Sequence, residues 1–417
     1  MVSLTRMALL PFVVVVIVAL CDGINKKINP PPTYKEILSS VSVDPLTYSN
    51  PTAVITGCTS GIGLSLTRTL HDDLGFTVIC LSRSNQKMSD VKSANRWDNF
   101  VGIRCDLSDL YSVQSAMASV KDLLKSKSRK INYLINNGGM HYGALRLRDN
   151  SKEEEKRSRT KQGFDQVFAA NYLGHFLLTE GLLDSMEAVE GLEKARVIQV
   201  SSSYHWASDG EMLRRVSERR DTVLKSPVAA TGRTGNDADT PRIKDLSYGN
   251  SKLAQILHAK KLAVLHPDID FVSICPSWVG TNIVSPNEFW LAHKVINFLA
   301  FDVDTDGIVS TLLALFHPSV QSGDYLANTR ASEYVLNMAW EWTSTTPLIP
   351  FGKKNTTVFG TRTWRDAITH AFAGFLMIFQ RFGFGGPFII HSSPESYDEG
   401  LQDDLYEFSK DAIAKYL

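Results

Sequence analysis

The chain carries no net charge: 44 Lys+Arg balance 44 Asp+Glu over 417 residues. It therefore offers no basic face of the kind nucleic acid requires, and no nucleic-acid partner is expected. Cysteine is scarce, with only Cys21, Cys58, Cys80, Cys105 and Cys275. Their spacing fits neither a zinc pattern nor a disulfide framework, and no metal is expected. Cys80, Cys105 and Cys275 lie in or beside apolar runs and read as buried free thiols. Cys58 falls in a glycine-rich turn, where a plain small residue is the first reading and a redox-sensitive thiol the second. No apolar stretch reaches the roughly 20 residues of a bilayer-spanning helix. Met7–Cys21 is a run of 15 residues that would span about 22 Å as a helix. Internal repeats are absent as well.

The chain does hold enough apolar residues for a sizeable core, 43% of the total. It also has a clear order of motifs, beginning with Ala53–Gly63, AVITGCTSGIG. A β-branched run enters a glycine turn, and Leu64, Leu66, Leu70 and Leu74 follow at helical intervals. The pattern is strand, turn, helix. Gly57 permits a tight exit from the strand, Gly61 a close approach of the backbone to a pyrophosphate, and Gly63 close packing of helix on strand. The helix N-terminus then presents free N–H groups and the positive end of its dipole to the phosphates. The spacing is T-G-x-x-x-G-x-G; the commoner dinucleotide fingerprint G-x-G-x-x-G is missing.

From Pro51 onward strand and helix patterns alternate. Phe76–Leu81, Phe100–Cys105, Ile131–Ile135, Val197–Val200 and Phe271–Cys275 read as further strands. Helical periodicity covers the stretches from Asp109 to about Lys125, from Gly163 to about Met186, and from Tyr248 to Leu265. This predicts an α/β fold, a doubly wound parallel Rossmann-type sheet with helices on both faces and ligands at the carboxyl ends of the strands. Residues 51–335 form this domain. Two charged, apolar-poor inserts, 146–161 and 209–240, read as mobile surface loops.

The flanks read differently. Residues 1–22 pair a positive start with an apolar run and Ala19-Leu20-Cys21, the pattern of a signal peptide or of an uncleaved anchor. Either addresses the chain to the endoplasmic reticulum or another endomembrane. Residues 23–50, with Asn29-Pro30-Pro31-Pro32, read as a linker. Beyond Tyr334 the alternation stops, and 336–417 form a C-terminal extension. Within it Trp364–Phe384 is aromatic-rich and stopped by Gly383, Gly385, Gly386 and Pro387. It is expected to lie in a membrane interface or over the substrate mouth, with a helix packed on the core as the alternative.

Five motifs recur in one order: T-G-x-x-x-G-x-G, then Asn136-Asn137-Gly138-Gly139, then Asn171, then Ser201-Ser202, then Tyr248-x-x-x-Lys252. This order resembles the short-chain dehydrogenase/reductases over about residues 50 to 335. The segments NYLGHFLLT from Asn171, RVIQVSSSYH from Arg196 and YGNSKLAQIL from Tyr248 resemble the retinol-dehydrogenase-type branch. The resemblance implies catalytic roles for Asn171, Ser202, Tyr248 and Lys252. Hydride transfer to a carbonyl leaves an alkoxide that needs a proton, and free tyrosine has a pKa of about 10. A lysine ammonium at i+4 on the same helix face would stabilise the phenolate and lower that value. Tyr248 is then general acid in reduction and base in oxidation. Ser202 would stabilise charge on the carbonyl oxygen, Lys252 would also donate to the nicotinamide ribose, and Asn171 would hold a water linking Lys252 to solvent.

For cofactor binding the resemblance implies Thr56, Gly57, Ser60, Gly61, Ile62 and Gly63 in the turn. Asp106 and Leu107 stand at the adenine, Asn137 and Gly138 beyond the adenosine ribose, Tyr248 and Lys252 at the nicotinamide ribose, and Val279 and Thr281 at the carboxamide. The second strand ends Leu81-Ser82-Arg83, with no acidic residue for a ribose 2′-hydroxyl. Arg83 is placed to pair with a 2′-phosphate, so NADP(H) is the expected cofactor. Three departures from the family pattern stand out: Gly138 for the usual Ala, Ser277-Trp278 after Pro276, and 45 residues between Ser202 and Tyr248.

The expected substrate is a lipophilic alcohol, aldehyde or ketone, retinoid-, steroid- or fatty-aldehyde-like. The apolar residues after Thr281, Ile283 to Leu299, are expected to line a pocket or a membrane-facing mouth. A light-dependent protochlorophyllide reductase is the second enzyme reading, but the cysteine expected soon after the catalytic lysine is replaced by Leu253-Ala254-Gln255. A nucleotide-sensing scaffold without catalysis is the third reading. A membrane surface is the expected partner beside the substrate. The oligomeric state stays open, a homodimer being the assembly considered.

Overall fold

The structure is a computed structural model that describes residues 51–141, 159–188, 194–208, 210–218, 243–277, 279–281, 302–329 and 385–417, together with Ser39. The expected leader or anchor, the proline linker, most of both inserts, Trp278, the apolar stretch after Thr281 and the segment Trp364–Phe384 lie outside the described residues. Among the described residues no helix is long and apolar enough to cross a membrane.

Continuous apolar runs become the central strands, as they must where both faces of a sheet are covered. β1 (Thr52–Thr56), β4 (Tyr133–Asn136), β5 (Ala195–Val200) and β6 (Ile269–Cys275) are buried at every position. β2 (Thr77–Ser82) is nearly so, whereas β3 (Phe100–Arg104) alternates between core and solvent, as a sheet edge does. With β7 (Tyr325–Thr329) and β8 (Gly385–Ile390) they form one eight-stranded sheet in the order β3-β2-β1-β4-β5-β6-β7-β8. All neighbours are parallel except β7 and β8. β1 pairs with β2 through Val54↔Ile79 and with β4 through Val54↔Leu134. The strand order reverses there, which opens a crevice at the carboxyl ends.

Side chains alternate across the sheet and seed two cores. Val54, Ile79, Leu134 and Val197 face one helix layer: α3 (Leu110–Lys127), α4 (166–182), α6 (Ile243–Leu265) and α8 (Glu399–Ile413). Ala53, Ile55, Val78, Ile135 and Ile198 face the other: α1 (Gly61–Arg68), α2 (Asn85–Asn95) and α7 (Val309–Phe316). α3 shows why such segments are helices. Leu110, Val113, Ala116, Met117, Val120 and Leu124 form its buried stripe, Asp109 caps its start, and Ser128 closes it in the left-handed region. α4 is composite, running Gln166–Phe168, a π-turn Ala169–Leu173, then Gly174–Leu182.

The expected doubly wound parallel sheet is present, with three differences. The sheet does not stop near residue 335, because β8 adds an antiparallel edge strand beside β7 and α8 packs against α6. The second insert is not loop throughout: Glu211–Glu218 is a helix, α5, with Leu213 buried beside Leu401 and Leu405 of α8. Cys58 and Cys80 are joined as a disulfide, which corrects the reading of both as free thiols. The pairing is long-range and crosses from the glycine turn to β2, so sequence spacing held no trace of it. Cys105 and Cys275 are free and buried, as expected.

Candidate active site

The glycine turn leaves β1 through Gly57 at φ 69° and enters α1 through Gly61 at φ 54°, both in the region that favours glycine. A Cβ on Gly63 would stand 2.3 Å from the Gly57 carbonyl oxygen, so the helix can approach the strand only without one. Ser60 precedes the helix in extended conformation and makes no side-chain cap, which leaves the first-turn N–H groups without that partner. Ile62 packs partly buried beside the core of that face. An uncapped helix start at the carboxyl edge of the sheet, with glycine where backbone must approach, fits a dinucleotide pyrophosphate.

The neighbouring strand ends close around this turn. The Asn137 side chain donates to the Thr56 carbonyl (2.9 Å), and the Gly138 N–H donates to Thr56 Oγ1 (2.8 Å). A Cβ on Gly138 would lie 2.8 Å from Leu107 Cδ1, so glycine here makes room for Leu107, one of the expected adenine contacts. Asp106 accepts from the Ser108 N–H (3.0 Å) and hydroxyl (2.7 Å), which shapes the loop after β3. Arg83 is exposed at the end of β2 and makes no ion pair among the described residues. Across the crevice the Thr281 N–H donates to the Val279 carbonyl, and Thr281 Cγ2 lies 3.3 Å from where a Gly61 Cβ would be. The structure thus brings the expected carboxamide segment against the glycine turn.

Ser202 follows β5 and opens a short 3-10 turn, Ser203–Ala207. Its hydroxyl draws the pKa of the neighbouring Tyr248 phenol down and accepts from the Tyr204 N–H (3.3 Å). Tyr248 and Lys252 lie one turn apart on α6, with Lys252 Nζ 5.5 Å from the centre of the Tyr248 ring. Ser201 Oγ donates to the Lys252 carbonyl (2.8 Å), which pins α6 to the end of β5. Lys252 Nζ donates to the Val200 carbonyl (2.8 Å) and to Gln255 Oε1 (3.0 Å).

Burial dominates the electrostatics of both side chains. Burial pushes the Tyr248 phenol above its ordinary value, and the Ser202 hydroxyl works against this. Burial also draws Lys252 down to about 7.

Asn171 sits in the π-turn of α4, a feature frequent at functional sites. Its side chain is fully used: Oδ1 accepts from the Met140 N–H (2.8 Å), and Nδ2 donates to the Met140 carbonyl and to Ser251 Oγ (3.0 Å each). It therefore ties the loop after β4 to α6. Three further residues join the site that the motif reading passed over. His175 bridges the Asn171 carbonyl (2.9 Å) and Thr56 Oγ1 (2.9 Å). Cys275 Sγ accepts from the Ser203 and Ser277 N–H groups, 3.1 and 3.3 Å, and so joins the loops after β5 and β6. His205 bonds the Ser202 carbonyl (2.7 Å). Both histidines lie inside the branch-type segments that start at Asn171 and Arg196. His175 stands at i+4 from Asn171, so helical spacing was a usable signal for it. Cys275 and His205 depend on contacts between distant segments.

A family model described as short chain dehydrogenase matches residues 51–208. The chain is 28% identical over 294 residues to the Homo sapiens polyprenol dehydrogenase, covering 67% of this chain and 78% of that one. It is 30% identical over 290 residues to the chloroplastic short-chain dehydrogenase TIC 32 A of Brassica napus, covering 66% and 80%. It is 25% identical over 314 residues to retinol dehydrogenase 14 of Mus musculus, covering 70% and 81%. The chain belongs to the short-chain dehydrogenase/reductase family, in its retinol-dehydrogenase-like branch, and is an NAD(P)-dependent oxidoreductase acting on CH–OH groups.

Proposed function

We propose that this enzyme interconverts a lipophilic alcohol with its aldehyde or ketone, uses NADP(H), and employs Tyr248 as the general acid and base. The observation that carries the reading is the convergence of Ser202, Tyr248 and Lys252 at the carboxyl edge of the sheet, with Lys252 Nζ 5.5 Å from the centre of the Tyr248 ring and Ser202 acting on its phenol. A bound nicotinamide supplies or accepts the hydride. In the reductive direction a phenol kept neutral by burial is a ready proton donor, and Ser202 steadies the oxygen on which charge develops. In the oxidative direction Tyr248 must give up its proton first. Lys252, poised near neutrality, supports that loss when protonated. Asn171 positions the Met140 loop and α6 around these groups.

Thr56, Gly57, Ser60, Gly61, Ile62, Gly63, Asp106, Leu107, Asn137, Gly138, Val279 and Thr281 are assigned to the cofactor. Arg83 is assigned to the 2′-phosphate that distinguishes NADP(H), supported by its exposure at the end of β2. A relative named polyprenol dehydrogenase supports an isoprenoid alcohol as the substrate class. An address in the endomembrane system rests on residues 1–22, and the Cys58–Cys80 disulfide agrees with an oxidising compartment.

The test is NADPH consumption with farnesal, retinal and a steroid ketone, run beside Tyr248→Phe and Arg83→Ala. Tyr248→Phe is expected to bind NADPH and to lose orders of magnitude in kcat. Arg83→Ala is expected to raise the KM for NADPH roughly 10- to 150-fold, the worth of a charge-assisted pair. Substantial turnover by Tyr248→Phe, or a wild-type preference for NADH, overturns the corresponding assignment.

A further inference from the structure

Ser202 belongs to a chain of contacts that leaves the catalytic loop and ends in the C-terminal segment. Its backbone carbonyl accepts from His205 Nδ1 at 2.7 Å. A carbonyl can only accept, so Nδ1 carries the proton. The other ring nitrogen, Nε2, accepts from the Ser393 N–H at 3.0 Å. An N–H can only donate, so Nε2 carries none. The two bonds together fix a neutral imidazole in a single tautomer and a single orientation. The ring is fully buried, with its edge against Tyr325 of β7 at 5.0 Å between ring centres. Tyr325 is in turn the register partner of Ile390 in β8.

Ser393 is itself held firmly. Its carbonyl accepts from the Ser396 N–H (3.0 Å) and hydroxyl (2.7 Å), and Gln402 of α8 donates to the Ser396 carbonyl (3.0 Å). The adjoining Tyr397 ring lies under Lys260 Nζ of α6 at 3.9 Å. One end of His205 therefore grips the serine whose hydroxyl meets Tyr248, and the other grips a segment anchored to the catalytic helix.

We propose that His205 is a positioning residue for Ser202: its neutral imidazole, braced by the Ser393 N–H, holds the Ser202 backbone so that the hydroxyl faces Tyr248 and the substrate oxygen. The C-terminal segment is by this route part of the support of the active site. The inference rests on the catalytic reading of Ser202 above.

The experiment is a double-mutant cycle in the full-length enzyme with farnesal and NADPH as the probe. His205→Phe keeps the ring and removes both hydrogen bonds. His205→Asn restores a polar group at the place of Nδ1. Ser393→Pro removes the bracing N–H together with the Ser393 hydroxyl and sets its ring against His205 Nε2, so the imidazole loses its brace and must shift, while the Ser393 φ of −57° itself suits proline. His205→Phe and Ser393→Pro are expected to lower kcat roughly tenfold or more, the scale of a misplaced catalytic group. The NADPH dissociation constant, read by cofactor fluorescence, is expected to stay within about twofold, and His205→Asn to recover part of the rate. In a Ser202→Ala background His205→Phe is expected to change kcat no further, because the group it positions is gone. A full additional loss in that background overturns the proposal, as does an unchanged kcat in His205→Phe with only a lowered melting temperature. Should His205→Phe fail to fold, Ser393→Pro in the two backgrounds tests the same coupling with the same two outcomes. Wild-type activity in Ser202→Ala alone would instead overturn the catalytic reading on which the proposal rests.

Discussion

Lys252 is nearly fully buried, and burial holds its pKa near 7, far below its ordinary 10.5. The unfolded chain keeps this proton up to about 10.4. Between pH 7 and the unfolded value the unfolded state therefore binds more protons, and stability rises with pH. Below pH 7 the cost of burying the ammonium is present in full. Lys252→Met should flatten that slope and stabilise the cofactor-free protein at pH 7 while abolishing turnover. Urea unfolding of both proteins at pH 7 and pH 8.5 checks the sign, since Cys105, pushed up to about 12, opposes it only above its unfolded value. A wild-type slope no steeper than the variant's would refute it. Ser277 is the second residue whose state has a measurable cost. It adopts φ 65°, and its buried hydroxyl has no hydrogen-bond partner among the described residues. The resembling family places glycine there, and left-handed backbone costs a residue with a Cβ about 1–2 kcal/mol. Ser277→Gly is expected to raise stability by about 1 kcal/mol in the same urea assay.

At the scale of elements, strands and helices with one strong period were legible in the sequence, and elements held by distant partners were not. The continuous apolar runs of β1, β2 and β6 and the buried stripe of α3 carry their own signal. The motif residues were legible too, because Tyr248 and Lys252, or Asn137 and Gly138, sit at fixed offsets within one element or turn. α5 was not. Its sequence EMLRRVSE has one buried leucine among charges, and it is a helix because α8 covers that leucine. The same dependence hid the Cys58–Cys80 bond, the His205–Ser393 contact and the Val200 carbonyl that holds Lys252, each of which joins segments apart in the chain. Leu213→Ala tests the docking of α5. Removing a fully buried leucine costs about 2–5 kcal/mol, whereas a leucine on a solvated loop costs almost nothing. Arg214 of the same helix pairs with Asp398, the N-cap of α8, and this partly exposed pair is expected to contribute no more than about 1 kcal/mol. A shift of the urea midpoint by Leu213→Ala well beyond that of Arg214→Ala would show that burial, not the ion pair, seats the helix.

For the molecule as a whole, the C-terminal residues decide where the domain ends. β8 pairs along β7 and takes its place as the sheet's edge strand, with Ile390 in the small core of Ile256, Cys275 and Tyr325. α8 lays Leu401, Leu405, Phe408 and Ile413 into the core beneath α4 and α6, and Tyr172 of α4 meets Ser409 through their hydroxyls at 2.9 Å. Lys410 closes on the nearly buried Glu180 of α4 at 3.2 Å, with His258 of α6 on its other side at 3.8 Å. Burial alone would raise the Glu180 pKa, and these two partners reverse the shift, so the carboxylate stays ionised beneath the helix. Four large apolar side chains at about 1.5–3 kcal/mol each supply on the order of 10 kcal/mol. That is as large as the entire stability of a typical domain, about 5–15 kcal/mol. A chain ending at residue 384 is therefore expected to lack a cooperative unfolding transition, although it retains Asn171, Ser202, Tyr248 and Lys252. Phe408→Ala, which removes one of the four, is expected to cost about 3–5 kcal/mol while leaving a folded protein that still binds NADPH. Circular dichroism melts of the truncated and substituted proteins decide the matter. A truncated chain that melts cooperatively near the full-length temperature would return the C-terminal residues to the status of an appendage.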